Sequence, residues 1–470
     1  MSLRMIRLGL MTALAAFPLL GLCASGGEDV KSATVGQPFQ VAPQSGPQVN
    51  QMSSDAAFDG ENTWLVVWAE GAATVNVGMD IKAARVRSDG TCLDPAGIDV
   101  CKARNFQEAP RVAFCPASPA GSAAASGGNW LVVWSDFRLG KDYDLYGTRV
   151  TREGKVLEPD GALLYGGAGN QCWAAVGSNG SEFLLAWMDS GNGKTYHVFL
   201  GRVSAEGKAL DGTGTNAFGG GEYDCFCNPR VVWNGKNWIV SEVHGGWGES
   251  TYRRPEAGVW SPDLKPVRPP QTYYVWIPWD YGVVELVADG SVTMLVVPNR
   301  PGWIIPMTRL GAAGELLSQE INGPWPRKED ENMFLSFNVH HPNAQLPKTS
   351  FTALSPRLGS RWSVSLAASD GIFLAVCSGS KLRVYDAKGV PEKEVPGMIF
   401  GLRYRVSDGK ALDGCGEQVN PFMINGGHQR GIVGDGGARG GKDGQFLVFN
   451  SIVPTGTEFS RIEARLVQAK

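Results

Sequence analysis

The chain has 470 residues, a formal net charge of −3 and only 19% charged residues, with 62 Gly and 15 Trp. Average domains carry roughly 7% Gly and 25% charge. Too many large apolar side chains for a disordered chain, and too much Gly and Pro for a helical one, leave a turn-rich all-β protein with an ample core. No basic stripe is present, which argues against nucleic acid and anionic membrane surfaces as partners.

At the start of the chain, Arg4 and Arg7 precede an apolar run from Leu8 to Leu22, followed by Ala24, Ser25 and Gly26. This is the order of a secretory signal peptide, expected to occupy residues 1–24. The run is shorter than the roughly 20 residues a membrane-spanning helix needs, and no later stretch is long enough. A secreted, periplasmic or cell-surface location follows as an expectation. Leu22 stands where a lipid-attachment pattern wants a small residue, which disfavours an anchor at Cys23. The remaining cysteines (92, 101, 115, 172, 225, 227, 377 and 415) suit an oxidising compartment, as disulfides or partly as buried thiols. Cys225 and Cys227 are spaced too closely for the usual zinc pair.

From residue 25 onward the chain repeats itself. Trp64 to Trp68 reads Trp-Leu-Val-Val-Trp, Trp130 to Trp134 repeats it, and Phe183 to Trp187 varies it. Weaker copies follow at 238–242, 293–297, 373–377 and 446–450. Most copies follow a Gly turn, such as Asp59-Gly60, Asn179-Gly180 or Asn234-Gly235, which is a hairpin signal. Downstream of each of the first three runs comes a segment ending in Arg-Val and then an acidic-Gly turn. The step from Arg to Gly is constant: 85 to 90, 149 to 154, 202 to 207 and 309 to 314. Arg405 and Arg465 are placed with these, and Val259 stands at the Arg place in the fourth copy. Such registered arginines are expected to do one structural job in every copy.

Each unit reads as four antiparallel strands, and units that cannot cover both faces alone must stack in a ring. The fold expected is a single seven-bladed β-propeller over residues 25–470; six or eight blades also fit the spacing. The last copy lacks a fourth strand. Residues 37–41, Gln-Pro-Phe-Gln-Val, are expected to supply it and join the two ends, leaving no open edge. A long insertion is expected near 322–362, and the sixth unit offers two candidate third strands, Lys381–Tyr385 and Gly401–Val406.

The repeated Leu-Val-Val-Trp, Asp144 to Val150 and Glu153 to Gly161 resemble a propeller-type repeat of bacterial secreted and cell-surface proteins. The resemblance covers most of the chain, closely in the first three blades. It implies the fold and an exterior location. It carries no single activity.

Candidate chemistry lies on the face where second and third strands connect. Two residues beyond the first five runs stand Glu70, Asp136, Asp189, His244 and Asn299, with Arg138 beside Asp136. They read either as groups converging on a shared mouth or as strand-capping residues. Blade four breaks the pattern: Glu242 replaces the closing Trp, and His244, Trp247, Tyr252, Arg253, Trp276 and Trp279 crowd the loops that follow. Flat aromatic faces beside polar forks are what saccharide recognition needs. The expectation is a monomeric binder of an extracellular or cell-envelope polymer, in particular a polysaccharide, near blades three to five. An enzymatic alternative, a lyase or glycoside hydrolase on an acidic polysaccharide, would draw on His244, Tyr252, Arg253 and Glu242. A structural or protein-docking module is a third. No nucleotide, metal or other cofactor pattern is present.

Overall fold

The structure is a computed structural model; it describes residues 32–43, 49–72, 78–116, 127–191, 195–220, 224–246, 252–272, 277–278, 284–296, 307–319, 362–385, 391–410, 412–415, 418–419, 422–428, 437–454 and 459–469. The chain divides into two units, Met1–Val30 and Lys31–Lys470. The first, with the expected signal peptide, lies outside the described residues. The second holds seven four-stranded antiparallel blades in a ring, a seven-bladed β-propeller.

Blade one is built from Val49–Phe58, Thr63–Ala72, Met79–Arg87 and Ile98–Cys101. Blade two comprises Gln107–Cys115, Asn129–Asp136, Asp144–Thr151 and Ala162–Tyr165, and blade three Gln171–Ser178, Glu182–Asp189, His197–Ser204 and Thr215–Asn216. In blade four Asp224–Trp233, Trp238–Gly246, Tyr252–Trp260 and Pro266–Thr272 are joined by a short extra strand, Ile277–Pro278. Blade five is Glu285–Asp289, Val292–Val296, Met307–Leu310 and Leu316–Gln319. Blade six is Trp362–Ser369, Ile372–Tyr385, Pro391–Arg405 and Phe422–His428. The two candidate third strands of blade six turn out to be different things. Lys381–Tyr385 extends the second strand, and the third runs through Gly401. Residues 322–361 of the expected insertion lie outside the described residues.

The last blade contains Gly437–Gly440, Gln445–Ile452 and Arg461–Gln468, and its outer edge is completed by Thr34–Val35 and Phe39–Gln40, both antiparallel to Arg461–Gln468. The two ends of the chain thus share one sheet, as the missing fourth strand predicts.

Each apolar core lies between consecutive blades. Leu131, Val133, Leu164 and Tyr165 of blade two pack with Phe183, Leu185 and Trp187 of blade three. Tyr165 stacks on Trp187 with ring centroids 4.4 Å apart. Gly201 makes this possible, since a Cβ there would come within 2.4 Å of the Tyr165 ring. Burying such aromatic rings contributes about 1.5–3 kcal/mol each, and stacking adds directionality.

The registered arginines are clasps between blades. Arg85 pairs with Asp94 at 2.8 Å and donates to the Arg152 carbonyl of blade two; Arg149 pairs with Glu158 at 2.5 Å, and Arg202 with Asp211 at 2.7 Å. The turn glycine of the following blade lies on this guanidinium: a Cβ on Gly154 would sit 2.8 Å from Arg85, and one on Gly207 3.2 Å from Arg149. Both glycines have positive φ, 86° and 78°, so the turn excludes a side chain twice over. Val259 occupies the Arg place in blade four, opposite Ile239 as Arg202 is opposite Leu184. Two assignments shift. In blade six the clasp is Arg403, opposite Leu374 and paired with Asp413 at 2.6 Å, not Arg405; in the last blade Leu466, opposite Leu447, stands there instead of Arg465. An irregular turn in blade six and a chain-end edge in the last blade change the spacing by which these positions are counted.

The expected disulfides are not formed at three of the positions. Cys92, Cys101 and Cys172 are thiols; burial pushes Cys101 and Cys172 up to about 12, which makes them inert packing residues.

Candidate binding site on the loop face

The end of each blade where its second strand passes to the third carries the predicted polar residues. In blades one to three these residues serve the blade itself. Trp68, Trp134 and Trp187 are wholly buried, each against a turn glycine, Gly97, Gly161 and Gly214. A buried indole N–H needs an acceptor, and the acid two residues on provides it. Trp68 Nε1 donates to Glu70 Oε2 (3.1 Å), Trp134 Nε1 to Asp136 Oδ2 (2.7 Å) and Trp187 Nε1 to Asp189 Oδ2 (3.3 Å). Arg138 forks onto both oxygens of Asp136, donates to the Asp160 carbonyl, and lies 3.8 Å from the centre of the Tyr146 ring. Glu70 also accepts from Gln51 at 3.2 Å and faces Lys82 at 3.5 Å. The spacing that places these carboxylates on one rim is therefore the spacing of an indole latch.

Blade four lacks that latch. Glu242 takes the place of the closing Trp and is wholly buried. Its partner across the strand pair is Glu256, and register partners project on the same side of a sheet. Two residues on, where the other blades put the acid, stands His244, whose Nδ1 lies 3.6 Å from Glu256 Oε1; the two side chains are 13% and 15% exposed. Blade four thus gathers two carboxylates and an imidazole at its loop end, reaching the surface through His244 and Glu256. Tyr252 and Arg253 open the third strand of the same blade, opposite Pro278 and Ile277. Trp247, Trp276, Trp279 and Asn299 lie outside the described residues. Glu256 was not legible as a site residue, because only pairing across strands reveals it.

A second feature was also missed. The innermost strands of blades one to four share a bulge, between Met52 and Asp55, Glu108 and Arg111, Cys172 and Ala175, and Cys227 and Arg230. At the same place in each bulge a non-glycine residue adopts positive φ: Ser53 (53°), Ala109 (51°), Trp173 (48°) and Asn228 (53°). Bulges re-aim side chains and collect at functional edges. Nothing in the residue types marks this one, since Ser, Ala, Trp and Asn share no property. Trp173 is 48% exposed. In blade two, burial raises the carboxyl of Glu108 above its ordinary value; burial, with the charge of Glu108, pushes the Tyr143 hydroxyl up to about 12.

Among the described residues, no group of three or more His, Cys, Asp or Glu is arranged to hold a metal ion, and no helix is long and apolar enough to cross a membrane.

No family model and no curated protein matches the chain. Among solved structures it is similar to the GH93 α-L-arabinofuranosidase of Fusarium graminearum in complex with arabinobiose, at 7% identity, with 92% of this chain and 98% of that one covered and a TM-score of 0.46. It is similar also to polysaccharide lyase Uly1 (8% identity, 87% and 88% covered, TM-score 0.47) and to a protein of unknown function from Dyadobacter fermentans (9%, 93% and 99%, 0.46). These are likenesses of chain path at low identity.

Proposed function

We propose that this chain is an exported propeller, of the bacterial secreted and cell-surface repeat type, that binds a carbohydrate polymer on its loop face near blades three to five. The observation that carries the reading is the break in blade four. Three neighbouring blades use the acid at the loop end to satisfy a buried indole. Blade four places the His244–Glu256 pair there instead, and the adjoining sequence holds Trp247, Tyr252, Arg253, Trp276 and Trp279. The later runs also lack the closing Trp, ending in Val297, Cys377 and Asn450. Blade four, however, puts a carboxyl group at the buried place, and such a choice marks a position where stability is not the only demand on the residues. Imidazole and carboxylate supply hydrogen-bond donors and acceptors for sugar hydroxyls, and the aromatic residues supply stacking surfaces.

The test is retention of the purified protein on a panel of immobilised neutral and acidic polysaccharides, with the released sugars followed in parallel. The expected result is retention without product, weakened about tenfold or more by His244→Ala, as the loss of one well-placed polar contact would give. Retention on none of a broad panel would overturn the reading.

A hydrolase reading draws on one specific observation. Directly opposed residues project on the same side of a sheet, and Glu242 and Glu256 are so opposed, which makes their carboxyl groups neighbours. Retaining glycosidases hold their two carboxyl groups about 5–5.5 Å apart. The complete burial of Glu242 weighs for the binder, since a nucleophile must meet its sugar. New reducing ends that vanish in Glu256→Gln would decide for the enzyme.

A further inference from the structure

We infer that Trp173, with the Glu108–Tyr143 pair of the preceding blade, forms a second sugar-binding subsite on the inner ring of the propeller, one that stacks a sugar ring on the indole and binds its hydroxyls through the carboxyl and phenol. The inference rests on the carbohydrate reading above and extends it from blade four to the junction of blades two and three.

The argument begins with an indole that folding does not explain. The other closing and opening tryptophans of blades one to three are buried and hydrogen-bonded within the ring. Trp173 is about half exposed and sits in the left-handed region, at φ 48°. For a bulky side chain that conformation is an outlier, and outliers of this kind cluster at ligand clamps. The matching residues, Ser53, Ala109 and Asn228, are small or suited to that conformation; Trp is neither. An exposed indole gains little from burial, so its presence at a strained position points to something outside the fold that covers it.

The backbone under the indole is fixed. Its N–H donates to Ser135 Oγ of blade two at 2.9 Å, and that serine is wholly buried. Ser135 is the register partner of Glu108, so one buried hydroxyl ties the Trp173 bulge to the strand that carries Glu108. Glu108 flanks the equivalent bulge of its own blade and is half-buried, and its charge acts on the Tyr143 hydroxyl. A carboxyl held partly out of water accepts from or donates to a hydroxyl according to its protonation. An exposed indole whose backbone is tied to the strand of such a carboxyl supplies the composition of a sugar subsite, apolar for one face of the ring and polar for its rim. Gln171, two residues before Trp173, is opposite Asp189 in the first two strands of blade three, so the subsite opens at the same end of the blades as the His244–Glu256 pair.

The experiment compares wild type, Trp173→Ala, Trp173→Phe, Trp173→Asn and Glu108→Gln for retention on soluble polysaccharides in affinity gels, using a neutral glucan, an arabinan and a polyuronate. Trp173→Asn places in blade three the residue that blade four uses at the same backbone conformation, so it controls for folding; its melting temperature is expected to match or exceed that of wild type. The expected outcome is a rise in Kd of about tenfold or more for Trp173→Ala and Trp173→Asn, about threefold or less for Trp173→Phe, which keeps a ring, and an intermediate rise for Glu108→Gln. A polymer that retains wild type and both ring-deleted variants within twofold would overturn the subsite while the carbohydrate reading stands. Wild type that binds none of the polymers would overturn both.

Discussion

Blades three and four stand side by side and solve one packing problem differently. At the end of its second strand blade three buries Trp187, satisfies the indole with Asp189, and covers the ring with Gly214 of its own outer turn and Tyr165 of the neighbouring blade. Blade four buries Glu242 at that place, with Glu256 across the pair, and puts Val259 where blade three has the clasp Arg202. An indole latch is specific and stabilising. A carboxylate pair in the same space carries a desolvation cost that an apolar residue would avoid. The difference separates positions in this ring that the fold explains from positions that the proposed binding role would explain.

The sharpest way to break that comparison is to remove the large residue from the regular side. Trp134→Ala empties a wholly buried site and leaves Asp136 with Arg138 alone; a loss of about 3–5 kcal/mol is expected, read as a fall in the denaturation midpoint. Glu242→Leu, on the irregular side, is expected to cost little or to raise stability, while weakening polysaccharide retention. Equal destabilisation by the two would show that blade four is as tightly specified as its neighbours.

Next in size are the clasps. Arg149→Leu removes the charge-assisted bonds to Glu158, and about 1.5–3 kcal/mol is expected to be lost. Val259→Leu in blade four removes no such bond and is expected to change the melting temperature much less. Smaller still is Gly207→Ala. The residue has φ 78° and Arg149 within 3.2 Å of its added methyl, so about 1–2 kcal/mol of backbone strain is expected. Gly180→Ala, at φ 92° with open space around it, carries the backbone cost without the contact, so the difference between the two isolates the clasp.

The smallest expected effect concerns pH. Burial raises the carboxyl of Glu108 above its ordinary value. A raised folded-state value means that the folded chain holds the proton more tightly, so the contribution is complete below the ordinary carboxylate range. It is lost as pH rises through the folded value. Glu108→Gln is therefore expected to flatten the fall in melting temperature as pH rises above the ordinary carboxylate range, with no effect if the carboxyl is fully solvated.

Much of the fold was legible because repetition makes the chain its own alignment. Four constant Arg-to-Gly steps place the third strand and its turn in register, and three closing tryptophans place the second. The register fails where turns change length, which is why Arg403 and Leu466, not Arg405 and Arg465, hold the clasp positions. The site was half legible. Blade four stood out through Glu242 and His244, but Glu256 belongs to it through pairing across strands, which residue order does not display. Trp173 was invisible for a different reason: a bulge is a count of backbone residues against a partner strand, and four unrelated side chains occupy it. Glu70, Asp136 and Asp189 show the converse, since their common spacing is real and its explanation is the indole N–H two residues before.

The closing sheet has a consequence for how the protein is made. Thr34–Val35 and Phe39–Gln40 are synthesised long before their partner strand, Arg461–Gln468. Pairings of such long sequence separation form slowly. Until Arg461–Gln468 has been made the ring stays an open arc with a vacant seam, and that strand closes it by joining the segment at 34–40 to Gln445–Ile452.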